Sequence, residues 1–354
     1  MKTVGIVAEY NPLHIGHKSH LAKSKESSGA EVVIVVMSGN FVQRGEPAIM
    51  DKWQRTQKAL EAGADLVIEL PLYYAAAGAE YFARGAVSLL EKSGIVDSMC
   101  FGSEWADMEA LRECALLEED EGFKVRMRGF LKQGLSYPAA RAKAADIRLP
   151  DTPNNILGVE YIKALAAMGS GIEPIAIPRY PGISAKEVRA SLKGQGFADF
   201  DHLSTVFRYA LLREEPQSCI DVSEGLENRL KHCDSGLISE TIAKAKTKRY
   251  TYLRIQRAVL HIILGMTKGN LADYEAAGGP QYIRVLGFNR KRVGLLKLLE
   301  ERAALPVVVN LKNAKLPPLA AQMLEEEVCS SKIYSLAWPV YKCFNEYTCG
   351  IIWK

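Results

Sequence analysis

Two histidines three residues apart, His14 and His17, flank Gly16 just after the apolar run 4–8. Histidine side chains donate hydrogen bonds to phosphate oxygens, and glycine lets the backbone approach a ligand closely. Donors placed there would stabilise charge as it develops on the α-phosphate and the leaving pyrophosphate of a nucleoside triphosphate. We therefore predict that His14 and His17 are catalytic residues of a nucleotide-binding site.

Four residues such as His14 to His17 are by themselves a weak signal for nucleotide binding, so their position in the chain has to be considered. His14 could equally cap a turn, and His17 could pack on a sheet. Residues 4–8 are short, apolar and β-branched, as in a buried parallel strand, and Asn11-Pro12 then signals a turn. A helix follows, and the first turn of a helix offers free N–H groups to phosphate. This strand–turn–helix context favours the functional interpretation.

Strand-like and helix-like segments alternate through the first half of the chain. The strand candidates are residues 4–8, 31–37, 65–70, 95–101 and 173–178. This alternation predicts an α/β fold with a Rossmann-like, doubly wound parallel sheet, and ligands bind outside the carboxyl ends of such strands. Beyond about residue 190 the chain reads mainly helical. We expect a catalytic domain over residues 1–193 and a mainly α-helical domain over residues 194–354.

Candidate nucleotide-binding residues follow the later strands. Gly102 ends the fourth strand, where it either allows close approach of adenine or ribose or simply forms a turn. Asn154 and Asn155 open a helix; capping explains one of them and leaves the other free to bind a ligand. Arg179 follows the fifth strand and either meets a phosphate or remains a surface arginine.

A second helix start offers further phosphate-compatible groups. Ser184 is a good N-cap, and Glu187 three residues later completes a capping box. The Ser184 hydroxyl, Lys186 and the helix N–H groups can also hold β- and γ-phosphates. We count Lys186 among the candidate catalytic residues.

The long polar loop 38–47 follows the second strand and therefore faces the same edge as the histidines. Long loops at that edge are usually functional. Asn40, Gln43, Arg44 and Glu46 are candidates to contact or orient a second substrate.

Charge is distributed unevenly along the 354 residues. Lys and Arg total 45 and Asp and Glu total 41, and the whole excess lies after residue 200. Six basic residues fall within residues 244–257 with tyrosines between them, and Arg290-Lys291-Arg292 forms a second cluster. Basic side chains position a phosphate backbone and aromatic rings stack unpaired bases, although a solvated helix face would show similar charges.

Several classes of protein are disfavoured. The chain contains neither a P-loop pattern nor a G-x-G-x-x-G after a strand. No apolar run approaches the roughly 20 residues of a membrane span, and we expect no signal peptide before the first strand. The seven cysteines lack paired or zinc-ligand spacing. We expect a cytoplasmic protein with reduced thiols, no membrane association and no protein-bound metal site.

Together these segments resemble the bacterial tRNA(Met) cytidine acetate ligase family of the HxGH nucleotidyltransferase superfamily. The resemblance covers most of the chain and rests on residues 7–17, 37–47, 101–104, 153–158, 183–189 and 246–251. In many members of the superfamily a serine or threonine stands at the position of Lys186.

The resemblance implies a nucleotidyltransferase-type fold and a reaction in two steps. ATP and acetate would give acetyl-adenylate, which would then acetylate N4 of the wobble cytidine of elongator tRNA(Met) and release AMP. Mg²⁺ is expected with ATP, and no protein partner is implied. ATP would be bound by Val7, Ala8, Glu9, Tyr10, Asn11, Pro12, Leu13, His14, Ile15, Gly16, His17, Lys18, Ser19, His20, Gly102, Asn154, Asn155, Arg179 and Ser184. The tRNA would be bound by Arg44, Lys244, Lys246, Lys248, Arg249, Tyr250, Arg254, Arg257, Arg290, Lys291 and Arg292.

Two other hypotheses compete with the ligase. An adenylyltransferase for a small metabolite would use the same first domain but would need no basic second domain. An RNA-binding protein with an inactive nucleotide fold would not need His14 and His17.

Overall fold

A computed structural model describes residues 1–135, 137–182, 185–192, 194–213 and 215–354. The strands are β1 (Thr3–Ala8), β2 (Val32–Ser38), β3 (Phe41–Val42), β4 (Glu46–Pro47), β5 (Leu66–Leu70), β6 (Ser98–Ser103), β7 (Glu173–Pro178), β8 (Ile283–Phe288), β9 (Val307–Val308) and β10 (Ile352–Trp353). The helices of the first half are α1 (Ile15–Ser28), α2 (Lys52–Glu61), α3 (Leu72–Ala75), α4 (Ala79–Lys92), α5 (Met108–Glu119), α6 (Glu121–Lys132), α7 (Tyr137–Ala144), α8 (Pro153–Ala167) and α9 (Ala185–Leu192). Those of the second half are α10 (Ser204–Arg213), α11 (Leu226–Cys233), α12 (Ile238–Ala245), α13 (Tyr252–Leu264), α14 (Lys268–Ala276), α15 (Gly294–Arg302) and α16 (Pro318–Tyr334).

The main sheet runs in the order β10-β8-β5-β2-β1-β6-β7. Strands β5, β2, β1, β6 and β7 are parallel to their neighbours within this set. The strand order reverses at β1, which pairs with β2 on one side and β6 on the other. The predicted doubly wound sheet is therefore confirmed, and its switch point lies where the two histidines follow β1.

The sheet core follows directly from the alternation of side chains along β2, which is buried throughout. Val32, Ile34 and Val36 join the large apolar cluster on one face, whereas Val33 and Val35 join the smaller cluster on the other. Successive strand residues point to opposite faces, so a strand covered on both sides must be apolar at every position. Helices on both faces thus explain the unbroken apolar run.

Strands from the second half of the chain complete the sheet. The prediction of a mainly helical second half did not include these strands. β8 pairs antiparallel with β5, and β9 and β10 both pair with β8. β9 lies within residues 306–310, and β8 and β10 were not expected from the sequence. The predicted domain boundary between residues 193 and 194 stays a prediction. Strands from both sides of it contribute to one sheet.

A buried cluster of five ionisable side chains joins β5 and β8 to the helices α2 and α16 and to the C-terminal segment. Lys52 Nζ lies 2.6 Å from Glu69 Oε1 and 2.6 Å from Glu346 Oε1. Arg284 lies 2.9 Å from Glu69 and 2.5 Å from Glu346. Glu327 is more distant, 3.8 Å from Lys52. Burial, followed by the charge of Glu69, raises the pKa of Glu327 to about 8, so three carboxyl groups share two cations with one proton retained.

Candidate active site

A cavity of about 360 Å³ opens at the carboxyl edge of the sheet, between the start of α1 and the ends of β6 and β7. That volume is within the range of small-molecule sites. Its polar lining comes from the ends of β1, β6 and β7, from the helices α1, α8 and α9 and from the loop 38–47, and it includes Glu9, His14, His17, Ser19, His20, Arg44, Glu104, Asn154, Arg179, Lys186 and Arg189. The structure thus brings most of the predicted nucleotide-binding elements to one place.

The two histidines form the first turn of α1. His14 is the N-cap, and its Nδ1 accepts a hydrogen bond of 3.1 Å from the Gly16 N–H. The Nδ1 of His17 accepts in turn from the His14 N–H at 3.2 Å. An acceptor nitrogen carries no proton, so in each neutral ring the proton lies on Nε2. The capping role is present and is compatible with the predicted functional role, because Nδ1 caps the helix and Nε2–H remains a donor.

Both rings are neutral near pH 7. Burial, with a contribution from Arg179, lowers the pKa of His14. Burial, together with His14 and His20, lowers the pKa of His17 to about 3. The ring centroids lie 3.9 Å apart, a separation that two imidazolium cations would oppose. The pair therefore offers two N–H donors to a ligand without a buried charge.

Within the predicted segment 7–20, only part lines the cavity. Val7, Ala8, Glu9, His14, Gly16, His17, Ser19 and His20 do so. The remaining predicted contacts, which are not among the lining residues, are Tyr10, Asn11, Pro12, Leu13, Ile15 and Lys18. Asn11 is buried and shapes the turn, since its Oδ1 accepts from the Ile49 N–H and its carbonyl accepts from Arg189.

Glu104, rather than an asparagine side chain, accepts from the start of α8. Thr152 is the N-cap, which corrects the expectation that Asn154 or Asn155 caps the helix. Glu104 accepts from the Thr152 hydroxyl at 2.8 Å and from Asn154 Nδ2 at 2.7 Å. Asn155 is fully buried, and its Oδ1 accepts from the Ser103 hydroxyl at 2.7 Å. Asn154 therefore faces the cavity, whereas Asn155 stabilises the turn after β6.

The three predicted phosphate contacts are Arg179, Lys186 and Ser184, and two of them line the cavity. Arg179 follows β7 and lines the cavity, with its side chain half exposed and 4.0 Å from Glu104. Lys186 is exposed on the first turn of α9 and also lines the cavity. Ser184 lies outside the described residues. The available cations thus lie on the α9 and β7 side, facing the histidine N–H donors.

Arg55 was not indicated by any pattern in the sequence. It is fully buried on α2 and donates to the carbonyl of Glu9 at 2.7 Å and to that of Ser38 at 3.0 Å. It also donates to the carbonyl of Gly39. These carbonyls follow β1 and β2, so Arg55 positions the histidine turn relative to the loop 38–47. No motif signals this role, because its partners are backbone atoms.

Most of the predicted basic residues at 244–257 lie on one exposed region around α12 and α13. Lys244, Lys246, Lys248 and Arg249 are exposed. Three arginines have polar partners in the chain: Arg249 with Glu224, Arg254 with Ser223 and Arg257 with Asp221. Tyr250 is buried, with its hydroxyl donating to the Glu224 carbonyl. The exposed lysines are therefore the more available cations of this region.

The second basic cluster lies at the opposite edge of the sheet. Because β8 is antiparallel to β5, its last residue pairs with the first residue of β5, away from the cavity. Arg290 lies over the Trp353 ring, and Arg292 approaches Asp65 just before β5. The structure does not bring Arg290, Lys291 and Arg292 together with the other predicted tRNA contacts.

Gly102 offers a direct test of the cavity. A Cβ built there has no neighbour within 4 Å among the described residues, so a larger side chain would project into the cavity. We expect Gly102→Val to weaken ATP binding at least about tenfold, a loss of about 1.4 kcal/mol, and to leave the melting temperature unchanged. Isothermal titration with ATP would measure this. Gly171→Val, at another glycine with open surroundings, is the control; ATP affinity unchanged in Gly102→Val would contradict the site.

The described residues contain no cluster of three or more histidine, cysteine, aspartate or glutamate side chains arranged to hold a metal ion. Within the same described ranges, no helix is both long and apolar enough to span a bilayer.

The fold and the paired histidines define a nucleotidyltransferase. The family described as HIGH Nucleotidyl Transferase matches residues 1–187 and again residues 180–347. Among curated proteins, the tRNA(Met) cytidine acetate ligase of Acetivibrio thermocellus is 39% identical over 99% of this chain and all of that protein. The enzyme of the same name from Thermoanaerobacter sp. is 37% identical over 96% of each chain. The chain belongs to the tRNA(Met) cytidine acetate ligase family.

A solved structure supports this assignment at the level of the whole chain. The crystal structure of Thermotoga maritima TmcAL bound with alpha-thio ATP is 31% identical and superposes with a TM-score of 0.92. The superposition covers 100% of this chain and 99% of that one. The apo form of the same protein gives a TM-score of 0.90.

Proposed function

We propose that the protein activates acetate with ATP and transfers the acetyl group to N4 of the wobble cytidine of elongator tRNA(Met), with release of AMP and pyrophosphate. The observation that carries the proposal is the pair of neutral histidines at the start of α1, both of which line a cavity of about 360 Å³. Relatives named for this activity match the chain over nearly its full length.

In the first step, an acetate oxygen attacks the α-phosphorus of ATP and pyrophosphate leaves. Negative charge increases on the phosphate oxygens as the bond to pyrophosphate breaks. His14 and His17 donate Nε2–H bonds to these oxygens, while Arg179 and Lys186 bind the leaving pyrophosphate. Donors fixed before the reaction need no rearrangement at the transition state, which is the main source of their effect.

The remaining nucleotide contacts follow from the lining of the cavity. Gly102 leaves space for the adenosine beside β6, and Asn154, oriented by Glu104, can contact it. Mg²⁺ enters with ATP, because triphosphate oxygens and water supply most of its ligands in such sites. The reaction takes place in the cytoplasm, where tRNA is modified.

In the second step, the cytidine amine attacks the acetyl carbonyl of acetyl-adenylate. The amine is a weak nucleophile, so its alignment with the acetyl group dominates this step. The base must leave the anticodon stack to reach the enzyme. Residues 194–354 serve as the tRNA-binding part, and the exposed Lys244, Lys246 and Lys248 contact the phosphate backbone.

Exchange of labelled pyrophosphate into ATP tests the proposal. We expect exchange that requires acetate, and N4-acetylcytidine in elongator tRNA(Met) but not in a tRNA without a wobble cytidine. Exchange that depends on another small substrate would instead support a small-metabolite adenylyltransferase. RNA binding without exchange under any combination would identify an inactive nucleotide fold.

A further inference from the structure

A second cavity, of about 430 Å³, lies directly beside the nucleotide cavity. Arg44, Lys186 and Arg189 line both cavities and therefore mark their common boundary. The rest of its wall comes from β4, the residues after α9, and the helices α12 and α13. A group bound here would lie next to a nucleotide bound at the histidines.

The wall of this cavity combines aromatic and polar side chains. Phe197, Phe200 and Tyr252 supply flat apolar surfaces, and Tyr252 is 38% exposed at the mouth of the cavity. Glu46 and Gln256 supply polar groups deeper inside. Aromatic surfaces with a few polar atoms are the usual environment of an unstacked nucleobase.

Glu46 has one carboxylate oxygen that is buried and lacks a hydrogen bond. Its Oε2 accepts from Gln256 Nε2 at 3.2 Å, and Arg189 Nε lies 3.6 Å from its Oε1. That Oε1 has no hydrogen-bond partner among the described residues. The carboxylate is thus held by two side chains and still has an unused acceptor.

Gly45 keeps Glu46 close to α13. Its φ is +80°, and a Cβ there would lie 2.6 Å from the Arg257 Cα. The backbone of the loop 38–47 therefore lies directly against α13, and no other residue type would allow that approach. Glu46 is consequently carried by a packed hairpin and not by a free loop.

We propose that this second cavity binds the acceptor cytosine, with Glu46 accepting a hydrogen bond from its N4 amine. This inference rests on the proposed function. Carboxylates accept from the cytosine amine, whereas uracil presents a carbonyl oxygen at the same position and would be repelled. Tyr252 stacks on the base, and Arg189, which contacts both Glu46 and the Asn11 carbonyl, connects the base site to the histidine turn.

The chemistry of the transfer follows from this placement. The N4 lone pair forms a bond to the acetyl carbonyl carbon, and the bond from that carbon to the phosphate oxygen breaks. AMP leaves with that electron pair. The amine proton passes to the Glu46 carboxylate and then to water, so no further reactant is required.

The test compares Glu46→Gln with Glu240→Gln, which removes the same charge from an exposed position on α12. We expect Glu46→Gln to keep acetate-dependent pyrophosphate exchange and to lose acetyl transfer to tRNA by about 10²-fold or more. Glu240→Gln should change neither rate. Transfer at the wild-type rate in Glu46→Gln would overturn the inference, and so would loss of exchange, because Glu46 would then act in the first step.

Tyr252 supplies an independent measurement. We expect Tyr252→Phe to retain the stacking surface and the wild-type KM for tRNA, and Tyr252→Ala to raise that KM about tenfold or more, with exchange unchanged in both. Equal KM values in the two variants would contradict a stacked base. Absence of acetate-dependent exchange in the unaltered protein would instead refute the proposed function itself.

Discussion

His14→Asn is expected to reduce acetate-dependent pyrophosphate exchange by about 10²–10³-fold while the protein stays folded. Asparagine is a favoured N-cap, so its side-chain oxygen can replace the Nδ1 that accepts from the Gly16 N–H. It cannot replace the Nε2–H, which is the donor assigned to the α-phosphate. The substitution therefore separates the two roles of one imidazole, and steady-state exchange with a parallel melting curve would measure both.

The matched control is His232→Asn, at an exposed histidine on α11 whose ring contacts the Asn228 carbonyl. It should leave exchange unchanged. Binding of tRNA by His14→Asn should also remain at the wild-type level, because α1 does not contribute to the basic region of α12 and α13. Exchange near the wild-type rate in His14→Asn would mean that His14 only caps the helix.

Lys52→Met is expected to lower the free energy of unfolding by about 3–5 kcal/mol. The lysine is completely buried and lies within 2.6 Å of two carboxylates. Its removal leaves Glu69, Glu327 and Glu346 with Arg284 as their remaining cation in the cluster. Uncompensated buried charge costs far more than a lost contact at the surface. Urea titration followed by circular dichroism would measure the loss.

Lys58→Met provides the comparison, because it removes the same group from the exposed face of the same helix. Surface substitutions of this kind change stability by about 0.5 kcal/mol or less. Equal stability of the two variants would show that the cluster contributes no more than an exposed lysine does.

The parallel strands of the sheet could be predicted because each is marked by a residue pattern within its own segment. The unbroken apolar run of β2, for example, has one explanation, burial on both faces. β8 could not be recognised in the same way, because its run contains Arg284 and Gly287. Arg284 is acceptable in a buried strand only because Glu69 and Glu346 neutralise it, and neither is near it in sequence.

The site shows the same division between local and distant causes. The histidine pair and its helix start are local, and the sequence located them. The low pKa of His17 is not local, since it depends on burial first and on two neighbouring rings second. Arg292 lies at the end of the sheet away from the cavity because β8 pairs antiparallel with β5. Arg55 acts through backbone atoms of other segments, so spacing along the chain does not reveal it.

The insertion of β8 beside β5 also has a consequence for how the protein is made. A ribosome delivers the five parallel strands before it delivers β8, and the unpaired edge of β5 then remains open to other chains. Lys52 and Glu69 are synthesised early, whereas Arg284 and Glu346 follow more than 200 residues later. A nascent chain released early would keep an unpaired strand edge and an incomplete ion cluster, so aggregation should follow premature termination rather than substitution of His14 or His17.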